Sequence, residues 1–447
     1  MTAECSHPYP GPSSWVIATL SSRNKFGVLN HMLALAIGLA MCFGFSARAS
    51  AQTLTVLHSF AGDTSDGSKP YGGLADVKGT FYGTTSAGGE HGHGVVFKVT
   101  SGKKETLLHS FQGYPTDGAA PGYMNLIANS KGTLFGTTGY GGDGPCKPNG
   151  EEGCGTIFQI TTAGKEEVLY SFQYGPNDGA GPDGTMVMDS PGNLYGTTLG
   201  GGNLATVCSS NDDGCGTVFE YTTAGKERVL YKFCPDPAAK CPDGVGPSGV
   251  LVRDASGNLY GTTVGGGAHG DGTVFKVTTS GEETVLYSFC AKKNCTDGYG
   301  PMGGLALDAT TGMLYGTTIT GGAGVCGQVT TGGGTLFEIT ISGTKFKVLH
   351  SFGTYAADGC EPYGGPTLDS KGNIYGTTLA GGESNAFGTV YEYSASGTES
   401  ILYSFPLNDG ENGVLPTDAL IDSTGTLYGT TSGAGADNDG IVFKLIP

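Results

Sequence analysis

Residues 192–202 read Gly-Asn-Leu-Tyr-Gly-Thr-Thr-Leu-Gly-Gly-Gly. Met once, such a stretch is a candidate phosphate loop, a glycine-rich turn that opens a helix and ends in Lys-Ser or Lys-Thr. It is not met once. An aromatic followed by Gly-Thr-Thr recurs at Tyr82, Phe135, Tyr195, Tyr260, Tyr315, Tyr375 and Tyr428, at intervals of 53, 60, 65, 55, 60 and 53 residues. None of the copies runs into Gly-Lys-Ser or a helical pattern. The stretch is therefore a structural repeat, and a period of this size belongs to stacked or radial architectures.

Each repeat carries four short runs, as in Gly303-Gly-Leu-Ala-Leu-Asp308, Leu314-Tyr-Gly-Thr-Thr318, Gly334-Thr-Leu-Phe-Glu-Ile-Thr340 and Lys347-Val-Leu-His-Ser-Phe352. Runs rich in β-branched and aromatic residues, separated by Gly, Asn, Asp and Pro, predict one four-stranded meander per repeat. Along the fourth run, alternation predicts Val285, Tyr287 and Phe289 on one side and Leu286 and Ser288 on the other. An aromatic recurs in the third run (Phe97, Phe158, Phe219, Phe275, Phe337, Tyr391, Phe443) and another ends the fourth (Phe60, Phe111, Phe172, Phe233, Phe289, Phe352, Phe405). These are expected to form core between packed sheets.

Sheets apolar on both faces need a neighbour on each side, and a radial arrangement supplies one without exposed end sheets. The expected fold is all-β, a seven-bladed β-propeller of four-stranded antiparallel blades. An open solenoid would have shorter rungs and would need capping ends. Thr53–Phe60 is a fourth run lacking its first three, and Gly440–Leu445 is a third run lacking a fourth. The N-terminal strand is thus expected to complete the last blade and close the ring.

Composition agrees with a globular β-rich chain. Its 82 glycines in 447 residues show no three-residue period, which excludes collagen, and 38% hydrophobic with 10% aromatic residues exceeds what disordered chains carry. In residues 1–51, Arg23 and Lys25 precede the apolar run Met32–Ala47, and Ala49-Ser50-Ala51 follows. This reads as a signal peptide and N-terminal leader cleaved before Gln52, leaving residues 52–447 as the propeller. The apolar run is shorter than the roughly 20 residues needed to span a bilayer. The net charge is −17, and residues 1–51 hold three basic and one acidic side chain, so the remainder stands at −19. Such a surface repels nucleic acid and anionic membranes. A secreted or periplasmic monomer is expected.

Ten cysteines lie beyond the leader. An even number in an exported chain favours disulfides, with neighbouring pairs Cys146 and Cys154, Cys208 and Cys215, Cys234 and Cys241, Cys290 and Cys295, leaving Cys326 for Cys360. Zinc is the alternative reading, although no Cys-x-x-Cys spacing occurs. In the expected strand order, the connections from second to third strand and from fourth strand to the next blade emerge on one face. All ten cysteines fall there, together with the long insertions 143–153 and 203–214. Variable loops on a rigid ring are where function is usually placed.

Several residues on that face are candidates for chemistry. Asp-Gly recurs at Asp66, Asp117, Asp178, Asp243, Asp297, Asp358 and Asp409, six times with Pro four residues later. A ring of carboxylates could hold calcium; alternatively each Asp caps its own turn. Glu151, Glu152, Asp212 and Asp213 are single-copy acids, suited either to solvation or to acid and base roles in glycoside cleavage. His91, His93 and His269 are loop histidines, whereas His58, His109 and His350 alternate with Tyr on the fourth strand as packing residues with a polar tip. Asp76 and Arg253 are charges in first strands, and a channel-lining strand would bring them to a ligand. Nucleophile-elbow, zincin and cofactor fingerprints are absent.

The combination of Gly-x-Leu-Tyr-Gly-Thr-Thr, Gly-Gly, Gly-Thr-Val-Phe and Val-Leu-Tyr-Ser-Phe resembles the GloVer (Gloeobacter/Verrucomicrobia) tandem repeat of secreted bacterial proteins over about residues 53 to 447. The order Pro-x-Gly-x-Leu, Asp-x-x-Gly-Asn-Leu-Tyr also resembles NHL-type propellers. The resemblance implies an exported repeat protein without an assigned activity. The expected function is a binding or scaffolding module working through the long-loop face, with a cell-envelope protein or glycan as partner. The alternatives are an extracellular polysaccharide hydrolase or lyase, and a purely structural surface protein.

Overall fold

The computed structural model describes residues 52–447 except 103–104, 122–124, 148–151, 205–207, 209–213, 237, 239, 327–331, 384–385, 407–410 and 422–423. The leader read from residues 1–51 lies outside the described residues. The chain forms a seven-bladed propeller of four-stranded antiparallel sheets. Blade 4 is representative: Val245–Arg253 nearest the axis, then Leu259–Gly265, Thr273–Val277 and, outermost, Glu283–Ser288. The ring closes where Thr53–Ser59 pairs antiparallel with Ile441–Ile446, setting Thr53 opposite Ile446 and Ser59 opposite Ile441. That strand completes the sheet begun by Val414–Ile421 and Leu427–Gly433.

The quoted glycine motif has a packing reason. In every blade the glycine after the aromatic lies directly across the ladder from the third-strand aromatic, as Gly83 does from Phe97, Gly196 from Phe219 and Gly429 from Phe443. The ring lies over the glycine: a Cβ on Gly196 would stand 2.5 Å from Phe219 Cζ. Onto the same ring packs the last aromatic of the preceding blade. Phe60 meets Phe97, Phe111 meets Phe158 and Phe172 meets Phe219, and so on round to Phe405 with Phe443. The seven centroid separations run from 5.0 to 5.5 Å, at interplanar angles of 60 to 72°. This is edge-on geometry, worth about 0.5–1.5 kcal/mol per pair beyond the area buried.

The threonines of Gly-Thr-Thr serve the sheet. The hydroxyl of the second one lies 2.8–2.9 Å from the hydroxyl of a third-strand threonine in Thr138 with Thr156, Thr198 with Thr217, Thr263 with Thr273, Thr318 with Thr335 and Thr378 with Thr389. All ten side chains are fully buried, where unpaired hydroxyls would be costly.

Strict alternation along the fourth strand does not hold. The pairing of third with fourth strand shifts register in each blade: Val274 faces Tyr287 while Phe275 faces Val285, leaving Leu286 as the extra residue. The same shift occurs between Val96 and Phe97 and at the ring closure between Val56 and His58. A bulge re-aims the side chains that follow it, here the Tyr or His whose tip matters below.

Two substitutions test this packing. Tyr391 takes the place of Phe in blade 6, and its hydroxyl is buried without a hydrogen-bond partner. Tyr391→Phe should therefore stabilise the protein by about 1 kcal/mol. Gly196→Ala should destabilise it by roughly 1–3 kcal/mol, because Phe219 cannot yield without disturbing Phe172. Urea unfolding followed by far-UV circular dichroism measures both.

Candidate functional site

The first strands converge on the axis through a Pro-x-Gly segment. There the blades touch backbone to backbone: a Cβ on Gly303 would meet the Gly364 carbonyl at 2.5 Å, and one on Gly249 would meet the Met302 carbonyl at 2.5 Å. What remains is a polar cavity of about 40 Å³, to which all seven blades contribute. Its polar groups include Tyr71, Asn125, Asp183, Ser248, Tyr363 and Asp418. Ser248 donates to Asp183 at 3.1 Å and the Asn125 amide donates to Asp418 at 2.8 Å. Burial pushes the Asp183 carboxyl up to about 6, against the opposing effect of the Ser248 hydrogen bond. The sequence reading passed over these acids. Their signal was positional: Asp418 stands two residues after Pro416, where Gly72, Gly184, Gly249, Gly303 and Gly364 stand after their own prolines.

Asp76 and Arg253 lie away from that cavity. Asp76 is exposed and accepts the Gly79 N–H at 2.7 Å in a tight turn. Arg253 ends its strand over the Tyr195 ring, 5.7 Å from the centroid. Its Nε is buried without a hydrogen-bond partner.

On the opposite, long-loop face the repeated Asp residues cap their turns. Asp297, fully buried, accepts the Tyr287 hydroxyl at 2.7 Å and the N–H groups of Ala291 and Lys292 at 2.9 and 3.1 Å. Asp178 does the same with Tyr170, Gln173 and Gly179. Asp117 bonds His109, Gln112 and Gly118. Asp66 pairs with His58, Asp243 with Tyr231 and Asp358 with His350. Asp409 lies outside the described residues. The alternating His and Tyr of the fourth strand are thus partners of the Asp turns, brought to them by the bulge. Calcium takes 6–8 oxygen ligands; these carboxylates, already committed to two or three donors each and spaced one per blade, do not fit it.

A second carboxyl reaches five of these turns from the next blade, Glu105 beside Asp66, Glu166 beside Asp117, Glu227 beside Asp178, Glu283 beside Asp243 and Glu399 beside Asp358. The sulfur-free clusters His109, Asp117, Glu166 and His350, Asp358, Glu399 each hold their ligand atoms within 4.8 Å. One oxygen of Glu166, Glu227, Glu283 and Glu399 is buried without a hydrogen-bond partner. Desolvation, and next the Asp178 charge, push Glu227 up to about 8; desolvation and Asp243 do the same for Glu283. In blade 5 Phe346 occupies the equivalent place and stacks on Tyr287 at 3.7 Å, so apolar contact replaces the carboxyl pair.

The ten cysteines form five disulfides: Cys146–Cys154, Cys208–Cys215, Cys234–Cys241, Cys290–Cys295 and Cys326–Cys360. Five disulfides belong to an extracytoplasmic protein. Among the described residues no helix is long and apolar enough to cross a membrane. Of the single-copy acids, Glu152 is half-buried and accepts Lys147 at 3.0 Å, while Glu151, Asp212 and Asp213 lie outside the described residues. The loop face also carries exposed apolar side chains: Tyr114, Leu199, Leu204, Val325, Tyr355 and Phe387 are all in its connections or at strand ends beside them. Among the described residues, Ile446 is the one other large apolar side chain so exposed.

Asp297→Ala would strand one hydroxyl and two amides and should cost about 3 kcal/mol in a urea melt. The carboxyls also set a pH dependence. Glu227 and Glu283 hold protons more tightly folded than unfolded, so their contribution is complete below the ordinary value of 4.5 and is lost as pH rises through about 8. Asp189, Asp254 and Asp369 run the other way. Burial would raise them, but hydrogen bonds from Asn193, Asn258 and Asn373 outweigh it and lower them, so their contribution is lost as pH falls below 3.8. Melting temperature should accordingly peak in mild acid and decline toward pH 8, and Glu283→Gln should flatten that decline.

The fold is shared with a solved structure of low identity. The extracellular domain of the proposed one-component system BT4673 from B. thetaiotaomicron matches with a TM-score of 0.51 at 11% identity, over 88% of this chain and 40% of that one. The chain therefore spans well under half the length of that structure. TolB from Acinetobacter baumannii matches at 12% identity over 72% of this chain and 63% of that one, with a TM-score of 0.40. No curated protein matches the chain. The model of the Gloeobacter/Verrucomicrobia repeat matches residues 40–240, 144–330 and 326–447. With its repeats accounted for blade by blade, the chain belongs to the Gloeobacter/Verrucomicrobia repeat family.

Proposed function

We propose that this protein is an exported binding or scaffolding module that engages a cell-envelope protein or glycan through its long-loop face. The observation that carries the reading is where apolar surface is left uncovered: Tyr114, Leu199, Leu204, Val325, Tyr355 and Phe387 stand on that face. Exposed apolar and aromatic side chains on a framework fixed by disulfides suit recognition with little ordering cost.

The hydrolase or lyase alternative finds less support. The axial cavity of about 40 Å³ is far below the roughly 300–1,000 Å³ of small-molecule sites, and the groove of about 510 Å³ beside Asp76, Lys78 and Lys131 lies among the tight turns, away from the single-copy acids of the long-loop face. The repeated Asp carboxylates are occupied in holding turns. Export through the leader, cleavage before Gln52 and a monomeric state complete the proposal.

The test is capture of envelope proteins and glycans by protein secreted from its own leader, comparing wild type with Val325→Ser/Phe387→Ser and with Ile446→Ser. The loop-face pair should weaken binding by about tenfold or more, while Ile446→Ser leaves it intact. Equal binding by all three would remove the assignment of the face. Cleavage of a polysaccharide that depends on Glu151 or Glu152 would favour the enzymatic reading.

A further inference from the structure

On the face opposite the long loops, the seam between blades 1 and 2 opens into a groove of about 510 Å³. Blade 1 supplies Asp76, Val77 and Lys78 from the turn between its first two strands, with Tyr82 behind them; blade 2 supplies the equivalent turn from Asn129 to Gly132. A Cβ on Gly132 would stand 3.6 Å from Val77 Cγ1, so the two turns are in near contact.

Tyr82 is only 5% exposed, and among the described residues its hydroxyl has no hydrogen-bond partner. In other blades the same hydroxyl is tied down. Tyr195 donates to Asp189 at 3.1 Å and to Glu220 at 2.9 Å, Tyr260 to Asp254 at 2.9 Å, and Tyr375 to Glu392 at 3.2 Å. Blade 1 removes both kinds of acceptor. Lys78 and Gly79 have φ of 56° and 79°, the paired positive values of a type I′ hairpin turn. This turn sets Ala75, seven positions back, opposite Tyr82, where blade 3 sets Val187, eight positions back, opposite Tyr195. Asp76 therefore stands opposite Phe81 and accepts the Gly79 N–H at 2.7 Å instead of the phenol. Across the ladder from Tyr82 stands Lys98, where blades 3 and 6 have Glu220 and Glu392.

The groove is cationic on a strongly anionic chain. Lys78 and Lys131 are exposed, one on each wall, and neither forms an ion pair among the described residues. Lys98 lies beside them, its Nζ donating to Thr162 O at 3.4 Å. Asn129 takes the place of Asp189, Asp254 and Asp369. Its Oδ1 accepts the Lys131 and Thr133 N–H groups at 3.0 Å each, which leaves its Nδ2 to donate elsewhere. Asp76 is the one acid among the described lining residues. A free phenol alone would not make a site: Tyr315 in blade 5 also lacks a hydrogen bond, but the Glu338 and Asp308 charges beside it exclude an anion.

We propose that this groove binds a glycan residue carrying a single carboxylate, a hexuronate unit, with the carboxylate between Lys78 and Lys131 and the hydroxyls on Tyr82, Asn129 and Asp76. Ammonium to carboxylate contacts are among the stronger hydrogen bonds, and the phenol that the fold leaves unpaired gains a partner from the ligand. The volume falls within the roughly 300–1,000 Å³ of small-molecule sites, more than a compact inorganic anion fills. Asp76 repels a second negative charge but accepts hydroxyl donors, so the fit is to one charge with several hydroxyls. The net charge of −19 beyond the leader further disfavours a polymer charged at every unit. The site is separate from the long-loop face, and the two proposals stand or fall independently.

Isothermal titration of the exported, disulfide-bonded protein with methyl β-D-glucuronide tests the proposal. One equivalent should bind, more weakly as salt is raised, and methyl β-D-glucoside should bind at least about tenfold more weakly. Lys78→Asn/Lys131→Ser should weaken glucuronide binding by about tenfold or more. Both replacements suit their turns: Asn tolerates the positive φ of a type I′ turn, and Ser256 holds the equivalent of position 131 in blade 4. Tyr82→Phe should weaken binding about threefold to tenfold, whereas Tyr315→Phe and Val325→Ser/Phe387→Ser should leave it unchanged. The proposal is overturned by absence of binding, by equal affinity for glucuronide and glucoside, or by phosphate or acetate binding as tightly as the glucuronide. Full affinity in Lys78→Asn/Lys131→Ser or in Tyr82→Phe, or lost affinity in Val325→Ser/Phe387→Ser, would overturn it equally.

Discussion

Everything in this ring hangs on one contact repeated at every junction: the last aromatic of one blade pressed edge-on against the third-strand aromatic of the next, which itself lies over a glycine. The glycine is needed because the ring occupies the volume its Cβ would take. The contact is also what makes the number of blades a global property. Phe60 comes from the first strand of the described chain and Phe97 from blade 1, so the junction that closes the circle uses the same pair as the others. Closure thus adds both a strand ladder and a full aromatic contact, at the only place where the two ends of the propeller meet.

Polar residues follow the same logic. The Asp-Gly turns, the His or Tyr four positions into the outer strand and the glutamates from the following blade all lie in the seams between sheets. There the Asp carboxylates hold the His or Tyr tips and the turn amides, while one oxygen of each of Glu166, Glu227, Glu283 and Glu399 is buried without a hydrogen-bond partner. The fold is sensitive to pH in both directions: the tight-turn carboxylates held by Asn193, Asn258 and Asn373 lose ground in strong acid, and the crowded seam carboxyls Glu227 and Glu283 lose it in mild base. A motif repeated in every blade is therefore a poor guide to a ligand site, because the repeat unit has to be explained first by what each seam requires.

That distinction decides how much could be read in advance. Blade number, the closing strand and the aromatic core were legible because they recur with a fixed period, and neighbouring cysteines were legible because a short loop leaves few partners. Two things were not. The bulge at Leu286 and its equivalents cannot be seen in an alternating pattern, since Val-Leu-Tyr-Ser-Phe looks the same with or without an extra residue. The His and Tyr tips therefore looked like packing residues until the bulge turned them toward Asp. The axial acids were hidden for the opposite reason: Asp183 and Asp418 are departures from the repeat, and their meaning depends on which positions the ring brings to its centre.

Closing the axis also constrains where anything can bind. In a wide propeller the channel mouth gathers groups from every blade; here glycines let backbones meet until only about 40 Å³ is left. The connections that differ from blade to blade lie outward of the axis, and the proposed binding face is built from them. Those connections are long, so their free ends would cost ordering entropy on binding. Local disulfides remove much of that cost, each tying a connection to itself or to its neighbour on the same face. The uneven spacing of the repeats, the placing of the cysteines and the exposed apolar side chains then share one physical setting: the hub is packed backbone to backbone, and variation between blades is confined to the rim.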